Sequence, residues 1–187
     1  VASGCLHMGC DVTLVSDEIY SSFCFDEPLI SPAAFNDRTL VIDGFSKSHG
    51  MTGWRLGYVH GPSEIIEAMT KLQQYTFVCA PQPVQWAGAV AIEVPVDDPV
   101  GHYRHKRDLI YGGLADKYEV VKPGGAFYIF PKAPGTSGTQ FVTKAIEKGL
   151  LIIPGNIFSQ HDTHFRISYA AGDETIQRGI ELLRKLA

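Results

Sequence analysis

Residues 44–57 read Gly44-Phe45-Ser46-Lys47-Ser48-His49-Gly50-Met51-Thr52-Gly53-Trp54-Arg55-Leu56-Gly57. Lys47 follows the apolar run at 39–43 and sits among small residues. Arg55 stands just ahead of a second apolar run. An amine on a glycine- and serine-lined loop can condense with an aldehyde or ketone. A guanidinium within reach holds a phosphate through paired hydrogen bonds. Together they suit a phosphorylated aldehyde as cofactor.

Outward from that stretch, residues 12–16, 39–44 and 55–60 are short and mostly apolar. They are read as strands buried on both faces, which predicts a mostly parallel α/β sheet. Ligands of such sheets sit outside the carboxyl ends of the strands, where Asp17 and Lys47 fall. Gly61-Pro62-Ser63 predicts a helix start, with Ile65, Met69 and Leu72 on one apolar face. A second helix is expected from about Val84 to Ile92, after Pro81 and Pro83, and a long amphipathic helix over 100–118. Pro95 and Pro99 bracket an expected boundary, giving a first domain over 1–95 and a smaller α+β domain over 96–187. In the second, residues 126–130 and 164–169 are strand-like, and Gly135–Gly138 is expected as a surface loop. A helix carrying Val142, Ala145 and Ile146 should end at Gly149. Asp173 is expected to cap a last helix whose stripe includes Ile176, Ile180 and Leu183. The first residues resemble the end of a helix leading into a strand.

Composition narrows the function classes. The 187-residue chain carries a formal charge of −4, so no basic field attracts nucleic acid. No apolar run reaches the length of a membrane span, and no charged-then-apolar leader opens the chain. Cys5, Cys10, Cys24 and Cys79 form no paired motif and are expected as buried or idle thiols of a cytoplasmic protein. The histidine pairs His102/His105 and His161/His164 supply too few ligands for a metal and are read as surface residues. His49 lies beside the lysine loop, but no spacing demands a role for it.

The stretch 44–57 resembles the lysine motif of fold-type-I pyridoxal-phosphate enzymes, specifically the class I/II aminotransferases. Ser16-Asp17-Glu18-Ile19-Tyr20 resembles the strand of that family which faces the cofactor ring. Gly125-Ala126-Phe127-Tyr128 and Phe165-Arg166-Ile167-Ser168-Tyr169-Ala170 resemble strands of its small domain. The resemblance runs nearly end to end, in family order, but covers only the C-terminal half of such an enzyme. It implies the C-terminal part of a mostly parallel-sheet pyridoxal-phosphate-binding large domain, followed by a smaller α+β domain. It also implies an N-terminal half and a partner subunit that complete the site, and hence little activity for residues 1–187 alone. Exposed apolar surface on the sheet, and self-association through it, are expected with that.

The resemblance assigns roles residue by residue. Lys47 is the Schiff-base lysine and moves the proton at the substrate Cα; its alternative is a solvated loop lysine. Asp17 pairs with the ring nitrogen and keeps it cationic; the alternative is a turn aspartate. Asp17-Glu18 would also suit a magnesium ion, but no phosphate-binding glycine loop precedes it. Tyr20 bonds the cofactor's phenolic oxygen, or simply packs. Arg55 holds the phosphate, and Ser46 adds a hydroxyl. Family members often carry a hydroxyl three residues before the lysine, where this chain has Gly44. Arg166 binds the substrate α-carboxylate; its alternative is an internal ion pair.

The implied activity is transfer of an amino group between an α-amino acid and a 2-oxo acid, of the aspartate, alanine or aromatic type, by a homodimer with small-molecule substrates. The alternatives are a β-lyase or decarboxylase on the same fold, or a non-catalytic cofactor-binding sensor domain.

Overall fold

The computed structural model describes residues 12–187; Cys5, Cys10 and the helix end expected for the first residues lie outside them. The chain divides into two compact units, Val1–Asp98 and Pro99–Ala187.

The first unit is built on a three-stranded sheet of β1 (Leu14–Asp17), β2 (Thr39–Gly44) and β3 (Gly57–His60), in that spatial order. β1 runs parallel to β2, from Leu14 opposite Thr39 to Asp17 opposite Ile42. Beyond the strand, Glu18 N–H donates to Ile42 O at 2.8 Å and prolongs the ladder. β3 is antiparallel to β2, from Val41 opposite His60 to Gly44 opposite Gly57. The mostly parallel arrangement expected from the three runs therefore holds for the first pair and not the second. The reason lies in the connection: residues 45–56 form turns and one short 3-10 helix (Thr52–Trp54). Without a crossover helix the chain turns back on itself.

None of the three strands is buried on both faces: in β2 the burial falls on the face of Thr39 and Val41, and Ile42 on the other is exposed. Thr39 and Val41 are buried, whereas β1 and β3 leave Val15 and Tyr58 exposed. Val15 and Ile42, with Val12 just ahead of β1, supply exposed apolar surface of the kind expected on this sheet. Phe23, Phe25 and Phe45 join Val41 in the core. The chain enters β2 through a side-chain turn, in which buried Asn36 accepts the Arg38 N–H at 2.9 Å.

Helix α1 (Ser63–Thr76) buries no residue, and its expected apolar face leaves Met69 and Leu72 exposed. Helix α2 spans Gln82–Ala91 with Pro81 at its N-cap and Pro83 in its first turn. The prolines thus open this helix, because the first turn needs no proline N–H. Gly88 of α2 presses on the base of the lysine loop, where a Cβ would run into Leu56 and stand 3.3 Å from Phe45.

The second unit holds α3 (Asp97–Leu114) from Pro99 onward, β4 (Tyr128–Ile129), α4 (Gly138–Glu147), β5 (Ile153–Pro154), β6 (Phe165–Ser168) and α5 (Asp173–Leu186). Its sheet is antiparallel in the order β4-β6-β5. α3 starts and ends earlier than the expected 100–118, with Pro99 in its first turn, and β4 keeps two residues of the expected strand. Gly138 opens α4 instead of closing a loop; a Cβ there would collide with the His164 carbonyl. Gly149, at φ 78°, ends α4 as its position predicts. α5 buries Ile176, Ile180 and Leu183, as its stripe predicts. Its N-cap is Gly172, not Asp173. The Asp173 carboxylate sits one step inside, where it complements the helix dipole and lies 3.4 Å from His105 Nε2.

The core of this unit is aromatic. Phe141 and Phe165 stack at 4.5 Å, and Tyr118 meets both edge-on. The Tyr118 hydroxyl donates to Leu183 O at 2.6 Å, and burial pushes its pKa from 10.0 up to about 12. A raised phenol pKa contributes stability that is fully present below about pH 10 and is lost as pH rises through 12. Tyr118→Phe should lower unfolding stability in urea by about 1 kcal/mol. It should also flatten the loss of stability across that alkaline window; an unchanged slope would show that this phenol does not carry the effect.

Candidate active site

The carboxyl ends of β1 and β2, and the amino end of β3, lie at one end of the sheet. Asp17, Tyr20, Ser46, Lys47 and Arg55 all attach there. Lys47 sits in a tight turn in which Phe45 O accepts the N–H groups of His49 and Met51, each at 3.2 Å. Gly50, at φ 63°, lets the chain leave that turn. Phe45 N–H reaches back to Leu56 O at 3.5 Å and closes the neck of the loop. Amine and guanidinium are thereby held on one short loop. Among the described residues, no carboxylate forms an ion pair with Lys47, and no side chain engages the Ser46 hydroxyl.

Arg55 closes the 3-10 helix in a left-handed conformation (φ 55°, ψ 42°). That region costs a non-glycine residue about 1 kcal/mol, and such strain persists where the surroundings dictate it. One guanidinium nitrogen of Arg55 donates to Thr52 O at 3.1 Å. The side chain is otherwise exposed.

The two acids after β1 separate by use. Glu18 Oε1 accepts the Ser31 hydroxyl at 2.6 Å and is spent on the β1–β2 connection. Asp17 is exposed and, among the described residues, accepts from Ile19 N–H alone, at 3.3 Å. Tyr20 begins the following 3-10 turn, its ring edge-on to Phe23 at 6.5 Å.

Asp43 is a residue the motif reading did not single out. Its Oδ1 accepts Gly44 N–H at 2.7 Å. Its Oδ2 accepts the Ser21 and Tyr58 hydroxyls, each at 3.4 Å. It so ties the turn after Tyr20 to the strand that carries Lys47. Burial, reinforced by the Asp43 charge, raises the Tyr58 pKa. A charged residue at the end of an otherwise apolar run was the only signal for Asp43. His49 joins its Nδ1 to Ser48 Oγ at 2.9 Å and packs against Phe45. Its Nε2 is buried without a hydrogen-bond partner among the described residues.

Arg166 lies in the second unit, on β6. Among the described residues it forms no ion pair, so the internal pair set against its substrate role is not made. Its guanidinium instead lies 4.3 Å from the Tyr128 ring centre and 3.9 Å from that of Phe158. Of the cysteines, Cys24 and Cys79 are free thiols, and Cys79 is exposed, contrary to a buried role. Among the described residues no helix is long and apolar enough to cross a membrane. No group of three or more His, Cys, Asp or Glu residues among them is placed to hold a metal.

The chain matches the family described as aminotransferase class I and II over residues 9–183, and it belongs to that family. Members of this family depend on pyridoxal phosphate. The chain is 37% identical to a probable aspartate aminotransferase of Methanocaldococcus jannaschii, over 94% of this chain and 50% of that protein. It is 38% identical to a probable N-acetyl-LL-diaminopimelate aminotransferase of Bacillus subtilis, over 94% of this chain and 47% of that one. The crystal structure of an aromatic aminotransferase from Pyrococcus horikoshii superposes with a TM-score of 0.92 at 33% identity, covering 99% of this chain and 53% of that one. The chain spans about half the length of the curated relatives it matches.

Gly44 explains the departure from the family's common hydroxyl. A Cβ there would stand 2.9 Å from Gly57 Cα and 3.0 Å from Leu56 O. Gly44→Ser should therefore lose about 1–3 kcal/mol of stability in urea unfolding, with no gain in cofactor affinity. Tighter cofactor binding by the variant would show that the strand pair yields easily.

Proposed function

We propose that the protein is a pyridoxal-phosphate-dependent aminotransferase that moves an amino group between an α-amino acid and a 2-oxo acid. The observation that carries this reading is Lys47, held in a tight turn with no described carboxylate to pair with, at the same sheet end as Asp17 and Arg55. That donor set fits a phosphorylated aldehyde with a basic ring nitrogen: an amine for the carbonyl, a guanidinium for the phosphate, a carboxylate for the ring. When bound, pyridoxal phosphate supplies a carbonyl that captures amino groups and a ring that accepts an electron pair.

The chain's own residues do the remainder. Lys47 Nζ would hold the group at its carbonyl carbon, and the same amine would accept the proton of the substrate Cα. Asp17 keeps the ring nitrogen protonated by charge pairing. Tyr20 donates its hydroxyl to the phenolic oxygen. Arg55 grips the phosphate, with Ser46 as an added donor. Arg166 receives the substrate α-carboxylate in its planar fork. Aspartate, alanine and aromatic amino acids are the proposed donors; for aspartate and aromatic acids this agrees with the names of relatives. A homodimer is the proposed assembly, supported by the exposed Leu72, Tyr75, Phe77 and Trp86. A reducing cytoplasm is the proposed setting, with which the free Cys24 and Cys79 thiols agree.

Borohydride reduction of the full-length protein loaded with pyridoxal phosphate should leave one phosphopyridoxyl mass on Lys47, read by peptide mass spectrometry. Lys47→Ala and Asp17→Ala should each lower kcat by about 100-fold or more. Glu18→Gln should cost far less turnover, because Glu18 is committed to Ser31. Label on a different lysine would overturn the reading. A 2-oxo acid released without an amino acceptor would move the protein to the lyases.

A further inference from the structure

We propose that Tyr128 and Phe158 are positioning residues: they lock the Arg166 guanidinium and so set the affinity for the substrate's carboxylate. The inference rests on the assignment of Arg166 to that carboxylate. Along β6, Phe165 and Ile167 are buried in the core, so Arg166 between them projects from the opposite face of the sheet. Tyr128 is paired with Ser168, two residues on from Arg166, and so shares that face. On the other flank, Arg166 pairs with Ile153 of β5. β5 runs into the short 3-10 turn Gly155–Ile157, which delivers Phe158.

That turn is pinned. Gly155 N–H donates to His164 O at 2.7 Å, and a Cβ on Gly155 would stand 2.6 Å from the same oxygen. Phe158 N–H then donates to Gly155 O at 2.9 Å. Its ring is braced edge-on by Phe130 at 6.5 Å, and Phe130 stacks on His164 at 5.2 Å. Both rings at Arg166 are thus fixed by backbone register and by further aromatics. Phe158 stays 46% exposed, so its contact with the guanidinium is not a by-product of core burial.

The chemistry follows from what a ring does to a guanidinium. A carboxylate partner would neutralise the charge and occupy the N–H donors. An aromatic face attracts the cation and restricts its rotamers, yet uses none of those donors. No described carboxylate pairs with Arg166. Its hydrogen-bonding edge is therefore oriented in advance and left for an incoming carboxylate, whose binding then costs less ordering entropy.

The test uses the full-length, cofactor-loaded protein with propanoate as a probe that carries a carboxylate and no amino group. Its inhibition constant and calorimetric dissociation constant are measured for Phe158→Leu, Phe158→Tyr and Arg166→Met. Phe158→Leu should weaken propanoate about fivefold, the equivalent of about 1 kcal/mol, with more of the loss for an amino acid falling on KM than on kcat. Phe158→Tyr, which restores the face, should recover to within about twofold. Tyr128→Leu and Tyr128→Phe repeat the comparison at the second ring and decide the matter should Phe158→Leu not fold. Arg166→Met should weaken propanoate at least about tenfold. If it does so while the leucine variants bind propanoate like the unaltered protein, or the ring-restoring variants fall as far as the leucine ones, the positioning role is wrong and the Arg166 assignment stands. If Arg166→Met leaves propanoate unaffected, both fall together.

Discussion

Gly44 and Gly57 face each other at the last rung between β2 and β3, where a single added carbon would stand 2.9 Å from backbone. That close approach lets the two strands converge and closes the loop on which Lys47 and Arg55 sit. The Phe45–Leu56 bond continues the closure, and the left-handed Arg55 absorbs the turn that it imposes. From below, α2 seats Gly88 against Leu56 and Phe45. Each of these contacts needs a small residue or tolerates a strained one. The loop geometry is a product of backbone packing more than of its side chains.

Charge is handled differently in the two units. In the first, Lys47 lacks a described carboxylate partner, and the acids nearby divide their labour: Glu18 and Asp43 are taken by hydroxyls and backbone, and Asp17 keeps an exposed carboxylate. In the second, buried Arg107 spends its guanidinium on Asp108 and Pro123 O, and Arg184 pairs with Asp116. Arg166 lies against the Tyr128 and Phe158 rings. Arg107 and Arg184 are engaged by acceptors, whereas Arg166 is restrained by rings with no described carboxylate partner.

Much of this was legible in the sequence, and the unreadable parts have definite physical causes. The place of Lys47, Arg55 and Asp17 at the strand ends was readable, because motif spacing fixes it. The direction of β3 was not readable from 55–60, since an apolar run carries no sign; the connection decides it. Helix ends at Gly149 and along the Ile176–Leu183 stripe followed from periodicity, whereas Asp173 was displaced from its capping place by a single residue. The apolar face of α1 was legible as a pattern, yet the pattern does not say whether anything covers it. Asp43, Tyr128 and Phe158 were invisible as a set. Their partners depend on strand register and on a 3-10 turn, which emerge only when distant segments pair.

Because β2 and β3 are joined by one short connection, the Lys47 amine and the Arg55 guanidinium belong to a sequence-local hairpin. Closing so small a ring of chain sacrifices little configurational freedom. Asp17 reaches the same end only after a strand from further upstream has docked in parallel, a slower and less local event. The cationic half of the site can therefore form early as the polypeptide collapses, with the acidic half joining a scaffold already shaped to receive it.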